Sequence, residues 1–287
     1  MKGIILAGGN GTRLLPATRI TNKHLLPILE RPMIIYPLET LKRFGVKDVL
    51  IVSGGDHIGD LAEFLSDGSE EDVSITYRVQ KEAGGIAQAL SLAKDFVGSD
   101  RCLVILGDNI FDTEQLIQDI GTFDPGEDKA VLFFKKVKDP ERFGVPSFDE
   151  MGELRSVVEK PAVPSSSFAC VGLYSYPADV FDIISTLVPS ARGELELSDL
   201  NTHYIVQGRA TYYTLSAFWS DAGTPRSLRD TSIWAAKQRD ILVSPTPSVS
   251  TAPIVSFDGN TVLVFGGSGF IGSNFIRKLI TEHSAKI

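Results

Sequence analysis

The chain has 287 residues, 43% of them apolar and 22% charged, which is enough to bury a full hydrophobic core and excludes a disordered polymer. A net charge of −8 excludes a general nucleic-acid or anionic-membrane surface, which needs a basic face, but leaves room for a local basic pocket. Two cysteines without a Cys-x-x-Cys pair and four scattered histidines exclude a zinc framework, and Cys102 and Cys170 sit in apolar runs as buried thiols of a reducing compartment.

Residues 3–7 read as an apolar strand that runs into a loop holding Gly8, Gly9, Gly11 and Arg13. Glycines admit positive φ and close approach of a ligand, successive amides cradle phosphate oxygens, and Arg13 adds a planar cationic fork. The loop is neither a P-loop nor a dinucleotide fingerprint, because Gly-Lys-Ser/Thr is missing and the glycine spacing differs. It reads as a polyphosphate grip or, more plainly, a Gly-rich turn. A strand so near Met1 predicts no signal peptide, no apolar run approaches the ~20 residues of a membrane span, and the cytoplasm is the expected compartment.

Helical periodicity covers residues 32–44, closed by Gly45. A buried strand follows at 48–53, a short helix at 58–65, an alternating strand at 73–79 and a helix at 85–97. The apolar strand 101–106 ends in Gly107-Asp108-Asn109. Continuous apolar strands alternating with helices predict an α/β, Rossmann-like doubly wound sheet, mixed but mostly parallel, with helices on both faces. Ligands of such sheets sit at the carboxyl ends of the strands, where Gly8–Arg13 and Asp108 both fall. Further strands are expected at 130–137, 153–159, 168–174 and 210–215, with helices at 178–187, 198–207 and 224–239.

The composition then changes. Residues 1–241 read as one domain, and 242–259 as a Pro/Ser/Thr-rich linker, with a surface loop as the alternative. Residues 260–287 read as a strand, a loop with Gly266, Gly269 and Gly272, and a helix: the truncated start of an NAD-binding Rossmann domain, or else a docked tail.

Several segments place polar groups in apolar surroundings. Lys23, in Asn22-Lys23-His24, is either a phosphate neutraliser or a surface lysine. Gln80 can both donate and accept, as a base edge requires, and Gly84 and Gly85 admit a flat ring beside the backbone. Asp108 at a strand end suits Mg²⁺, which takes one or two carboxylates plus phosphate oxygens. Asp221, in Trp219-Ser-Asp-Ala-Gly-Thr224, is either the second metal carboxylate or the cap of the last helix. Glu159 and Lys160 are chemically suited to sugar hydroxyls and a phosphate, and Arg192 to a phosphate, although each also reads as a surface charge pair.

In their order along residues 1–240 these motifs resemble the sugar-1-phosphate nucleotidyltransferases, within them the glucose-1-phosphate thymidylyltransferases of the short, spore-coat-polysaccharide-like subgroup. The resemblance implies the nucleotide-diphospho-sugar transferase type of fold. It implies a nucleotide site of Leu6, Ala7, Gly8, Gly9, Gly11, Thr12, Arg13, Lys23, Gln80, Gly85 and Asp108, with Gln80 and Gly85 on the pyrimidine. It implies Mg²⁺ on Asp108 and Asp221, and a sugar-phosphate site of Asn109, Gly144, Glu159, Lys160, Val171 and Arg192. Arg13, Lys23, Asp108 and Asp221 are then the catalytic set. Asn22, His24, Ala222 and Glu82-Ala83-Gly84 depart from the longer family members and leave the choice of nucleotide open.

The implied reaction is Mg²⁺-dependent transfer of a thymidylyl group from dTTP to glucose 1-phosphate, giving dTDP-glucose and pyrophosphate for rhamnose or cell-surface polysaccharide synthesis. The implied assembly is a homo-oligomer, dimer or tetramer. Residues 260–287 resemble extended short-chain dehydrogenase/reductases such as dTDP-glucose 4,6-dehydratase, so a bifunctional fusion is expected. Competing readings are a uridylyltransferase using UTP, a non-catalytic sugar-nucleotide sensor of the same fold, and an NAD-dependent oxidoreductase.

Overall fold

The computed structural model describes residues 1–82 and 84–239; the linker and the strand–loop–helix expected over 242–287 lie outside them. The chain opens with β1 (Lys2–Leu6), the short hairpin β2 (Pro27–Ile28) and β3 (Arg31–Pro32), α1 (Ile35–Arg43), β4 (Asp48–Gly54), α2 (Ile58–Leu65) and β5 (Ser74–Gln80). It continues through α3 (Ile86–Ser91), α4 (Lys94–Val97), β6 (Cys102–Leu106), β7 (Asn109–Phe111), α5 (Thr113–Ile120) and β8 (Ala130–Lys136). The remainder is β9 (Gly144–Phe148), β10 (Leu154–Glu159), β11 (Phe168–Tyr176), α6 (Val180–Ile184), α7 (Leu197–Val206), β12 (Ala210–Leu215), β13 (Trp219–Asp221) and α8 (Pro225–Gln238).

The main sheet runs β10-β9-β11-β6-β1-β4-β5, with β8 pairing both β11 and β12. β6, β1, β4 and β5 are parallel, whereas β11 runs antiparallel to β6. The two faces follow from side-chain alternation along buried strands. Ile4, Leu6, Leu50, Val52 and Val104 join one apolar layer with Ala87, Leu90, Phe181, Leu200 and Tyr204 of α3, α6 and α7. Ile5, Val49, Ile51, Leu103 and Ile105 join the opposite layer with Leu38, Leu41, Leu61 and Leu116 of α1, α2 and α5. A third cluster ties α8 to the hairpin and β7 through Ile28, Met33, Ile110, Ala222 and Ala235. The chain leaves β1 toward β4 and β5 and then returns to β6 on the other side of β1. This reversal opens a crevice at the carboxyl ends of β1 and β6.

Several expected elements need correction. The helix expected over 85–97 is divided into α3 and α4, because Ser91 Oγ donates to Gln88 O (2.7 Å) and the next amides tighten to i→i−3 bonds. The helix expected over 178–187 is only Val180–Ile184; the hydroxyls of Ser185 and Thr186 take the Asp182 and Ile183 carbonyls at its end. Helix α1 begins at Ile35 and not at residue 32, since Arg31-Pro32 pairs with Pro27-Ile28. Strands β7, β9 and β13 and helix α5 were not expected. Gly144 and Pro146 mask β9 as a strand, and β13 pairs its residues Trp219, Ser220 and Asp221 with Phe111, Ile110 and Asn109. Among the described residues no helix is long and apolar enough to cross a membrane.

Candidate active site

The crevice is about 630 Å³ in volume. Leu6, Gly8, Gly9, Arg13, Lys23, Gln80, Gly85, Asp108, Asn109, Gly144, Glu159, Lys160, Arg192 and Asp221 all line it. Of the remaining expected residues, Ala7, Gly11 and Thr12 build the loop without lining the crevice. Val171 does not line it either: its side chain is fully buried in the core, and its neighbours Cys170 and Gly172 face the space instead.

The phosphate-type loop begins where β1 stops. Ala7 N still bonds Val52 O (2.8 Å), then Gly9 (φ 90°) and Gly11 (φ 60°) turn the chain through left-handed conformations that side chains resist. A Cβ at Gly11 would meet Thr18 Cγ2 at 2.8 Å, so no larger residue fits there. Thr12–Leu14 forms a single 3₁₀ turn that leaves Arg13 more than half exposed at the crevice mouth.

Two strand ends bring the carboxylates together. Asp108 follows β6, and Asp221 ends β13, whose register sets Asp221 opposite Asn109. Ala222 N donates to Asp108 O (2.8 Å), locking the two ends. A Cβ on Gly223 would lie 2.7 Å from Asp221 Oδ1 and 3.4 Å from Asp108 Oδ2, so both carboxylates face one small space. The alternative reading of Asp221 as a helix cap does not hold. Thr224 is the N-cap of α8, with Oγ1 accepting from Ser227 N (3.1 Å) in a reciprocal capping box. Thr224→Ala is therefore expected to lower stability by about 1 kcal/mol, read as a shift of the denaturation midpoint.

Lys23 is not a surface lysine. Its Nζ donates to Asp108 Oδ2 at 2.6 Å, with both side chains largely buried. Burial alone would raise the Asp108 carboxyl. The Lys23 ammonium, with hydrogen bonds from Lys23 and Asn109, outweighs it and holds Asp108 well below the usual carboxylate range. Asp221 moves the other way: burial, then the charge of Asp108, raise it. Arg13 Nη1 and Arg142 Nη2 each stand 3.9 Å from Asp221 Oδ2. Among the described residues no group of three or more His, Cys, Asp or Glu forms an all-protein metal cage. Two converging carboxylates are an oxygen donor set of the size Mg²⁺ uses when phosphates complete its shell.

At the other side of the loop, Gln80 ends β5 and lies against Gly8, where a Cβ would stand 3.1 Å from Gln80 Oε1. Gln80 Nε2 donates to Gln88 Oε1 (2.6 Å), which orients its amide. Gly85 (φ 97°) packs so closely that a Cβ would sit 2.6 Å from Leu195 O. Both the strained φ and the backbone clash oppose a side chain, so Gly85→Ala is expected to cost ~1–3 kcal/mol in a denaturation experiment.

The remaining wall carries Glu159 and Arg192. Gly144 pairs with Glu159 across β9 and β10, and a Cβ there would meet Ser198 Oγ at 3.0 Å. Ser198 Oγ donates to Glu159 Oε2 (2.6 Å). Arg192 binds Glu196 through Nη2 to both carboxylate oxygens (2.8 Å each) and lies 3.8 Å from Glu159 Oε1. Lys160 adopts φ 43°, a left-handed conformation unusual for lysine, which turns the chain directly after Glu159. Asn109 Oδ1 accepts from Gly172 N (3.0 Å) and Trp219 Nε1 (2.7 Å), so its amide is fixed.

Sequence reasoning missed Arg142, which is anchored by Asp139 Oδ2 (2.6 Å) and lies over the Phe143 ring at 5.1 Å. Phe143 in turn meets Trp219 edge-on at 5.1 Å. The signal was a cation and an aromatic directly before Gly144, hidden in a charged turn. Gln88 was missed as well; it lies in the first turn of α3, where its Oε1 accepts from Gln80 Nε2.

Comparison with known proteins shows the family. Residues 2–238 match the family model described as Nucleotidyl transferase. The chain belongs to the nucleotidyl transferase family. Like other nucleotidyl transferases it is an enzyme of that class, and it is similar to proteins of related function. It is 41% identical over 243 residues to the glucose-1-phosphate thymidylyltransferase of Neisseria meningitidis, covering 84% of each chain. A Bacillus anthracis protein assigned as a glucose-1-phosphate thymidylyltransferase, solved in complex with sucrose, superposes with TM-score 0.75 at 48% identity, over 82% of this chain and 95% of that one. A UDP-glucose pyrophosphorylase solved with UDP-glucose superposes with TM-score 0.71 at 25% identity, over 83% of this chain and 99% of that one.

Proposed function

We propose that this nucleotidyl transferase forms dTDP-glucose and pyrophosphate from dTTP and glucose 1-phosphate, with Mg²⁺. The observation that carries the reading is the convergence of Asp108, Asp221 and Lys23 at the carboxyl ends of the strands, beside the Gly8–Arg13 loop. The 41% identity to a glucose-1-phosphate thymidylyltransferase supports the choice of substrates.

The loop amides and Arg13 bind the triphosphate tail, and Arg13 stabilises the charge of the leaving pyrophosphate. Gln80 offers both hydrogen-bonding senses to the pyrimidine edge, while Gly85 leaves room for the ring. Glu159 accepts sugar hydroxyls, and Arg192, Lys160 and Asn109 orient glucose 1-phosphate. A phosphate oxygen of that sugar attacks the α-phosphorus in line. The nucleophile is already an anion, so no general base is required. Asp108 and Asp221 hold Mg²⁺, which supplies charge neutralisation at the α-phosphate when bound. Lys23 adds a second cation on the same side, and catalysis is positioning plus electrostatics.

The likeness to a UDP-glucose pyrophosphorylase favours uridylyl transfer from UTP as the second reading. Thymine and uracil differ by one methyl group, worth about 1–3 kcal/mol in a fitted pocket. Comparing kcat/KM for dTTP and UTP decides the matter: a preference for dTTP supports the first reading, and equal or greater efficiency with UTP overturns it. A homo-oligomer, dimer or tetramer, is part of the same proposal, as is a cytoplasmic setting. So is the reading of 260–287 as the first strand–loop–helix of an NAD-binding domain of short-chain dehydrogenase type, on the pattern Gly266, Gly269 and Gly272. Such a domain, as part of a dTDP-glucose 4,6-dehydratase, would consume the product.

A further inference from the structure

Three buried side chains behind the crevice, Asn22, His24 and Ser53, touch neither the space where substrates bind nor the solvent. His24 Nδ1 stands 2.7 Å from Asn22 Oδ1. The same Asn22 Oδ1 accepts the backbone N–H of His24 (2.9 Å), and that group can only donate, so this end of the amide is its oxygen. Nδ1 must therefore carry the hydrogen and donate. Asn22 Nδ2 then faces Ser53 Oγ at 3.5 Å, and Ser53 Oγ donates to Ala7 O at 2.9 Å. The donors run in one sense from the imidazole to the last residue before the glycine loop.

The far edge of the ring meets the other strand end. A Cβ on Gly107 would lie 2.7 Å from His24 Cδ2 and 2.9 Å from Nε2, so the imidazole is pressed against the backbone that leads into Asp108. Nε2 is the single buried side-chain nitrogen or oxygen without a hydrogen-bond partner among the described residues. An unpaired buried acceptor costs about 1–3 kcal/mol, and a phenyl ring of similar shape would not incur that cost. The unpaired Nε2 thus offsets much of what the Nδ1 hydrogen bond to Asn22 contributes to stability. Its neighbour in sequence is Lys23, which reaches Asp108.

We infer that His24, with Asn22 and Ser53, is a positioning unit that sets the phosphate loop at Ala7 against the Lys23–Asp108 pair. The reading rests on the nucleotidyl transfer proposed above. The unit acts on the ends of β1, β4 and β6 at once: Ala7 extends the first, Ser53 lies in the second and Gly107 follows the third. Its hydrogen bonds aim the loop amides, and its ring holds the spacing between the loop and the carboxylate. A displacement of ~1 Å between reacting groups can cost about 10²-fold in rate, so a small relaxation at this point is enough to be measured.

The experiment compares His24→Asn with His24→Phe in the full-length chain. Asn keeps a donor where Nδ1 stood but leaves part of the ring volume empty. Phe fills the volume and removes the donor. If the hydrogen-bonded unit positions the site, His24→Asn retains kcat within about 10-fold of the parent while His24→Phe loses about 10²-fold, even where His24→Phe has the higher melting temperature. KM for glucose 1-phosphate stays unchanged in both. A residue that only fills space gives the opposite order in kcat, following stability, and that result overturns the inference. If either His24 variant fails to fold, Ser53→Ala replaces the pair: it removes the donor to Ala7 from the opposite end. It is expected to lower kcat by at least 10-fold with KM for glucose 1-phosphate unchanged, and parent-like kcat overturns the inference. Parent protein that releases no pyrophosphate would refute the underlying reaction. Parent turnover with the reversed order of variants would refute the positioning unit alone.

Discussion

Asp108→Asn and Asp221→Asn are each expected to lower kcat by about 10²-fold or more, and to differ in what they do to stability. The shared loss follows from the shared space: in the proposed reaction the two carboxylates would hold Mg²⁺ together, and an amide is a poor substitute for either. The stability difference follows from their opposite electrostatics. Asp108 is the counter-charge of Lys23, so Asn at 108 leaves a largely buried ammonium without its partner. A buried pair broken on one side typically costs about 3 kcal/mol. Asp221 is raised from its ordinary value, by burial first and then by the charge of Asp108. An acid raised in the folded state opposes folding when ionised; the penalty is present above the folded value and absent below the unfolded one. Asn at 221 removes that penalty and still accepts from Gly223 N, a bond of 2.9 Å in the parent. Asp221→Asn should therefore be as stable as the parent at pH 7, or more so. Pyrophosphate release together with melting temperatures checks both halves. Parent-like turnover in either variant contradicts the assigned roles.

Arg13→Ala is expected to lower kcat/KM for the nucleoside triphosphate by about 10²-fold with little change in stability. Its guanidinium is more than half exposed and only 3.9 Å from Asp221, which makes the ion pair worth ~0–1 kcal/mol to the fold. The same exposure leaves the side chain free to meet the phosphates of the triphosphate in the proposed reaction. Arg13→Lys should restore part of the rate, since a point charge survives but the planar fork does not. Initial rates across triphosphate concentrations read this directly. A loss confined to glucose 1-phosphate KM would place Arg13 on the other substrate.

The parallel half of the sheet was legible because strands such as Cys102–Leu106 are apolar throughout and alternate with amphipathic helices. The position of the crevice followed from the same pattern, since Gly8–Arg13 and Asp108 both fall at strand ends. Helix boundaries were less legible where hydroxyl side chains, as at Ser91 and Ser185, take carbonyls that the helix would otherwise use. Three residues of β13 are too few to show a period, so nothing local announced that Asp221 would pair across from Asn109. Its motif left a metal carboxylate and a helix cap both open, and the capping box at Thr224 is what removes the cap. Val171 shows the converse: a motif neighbour whose side chain the alternation of β11 turns into the core. Arg142 was missed because the crevice carboxylate it faces, Asp221, is distant in sequence, and Gln88 because its amide reads as an ordinary polar position of a helix until Gln80 is seen to donate to it.

The most direct test of the central claim is phosphorus NMR of the full-length chain incubated with dTTP, glucose 1-phosphate and Mg²⁺. The account predicts a diphosphate-linked sugar nucleotide and pyrophosphate appearing in equal amounts, only when both substrates are present. Tight binding of dTTP with no pyrophosphate formed, whichever sugar phosphate is supplied, would contradict it and leave a nucleotide sensor built on the same fold.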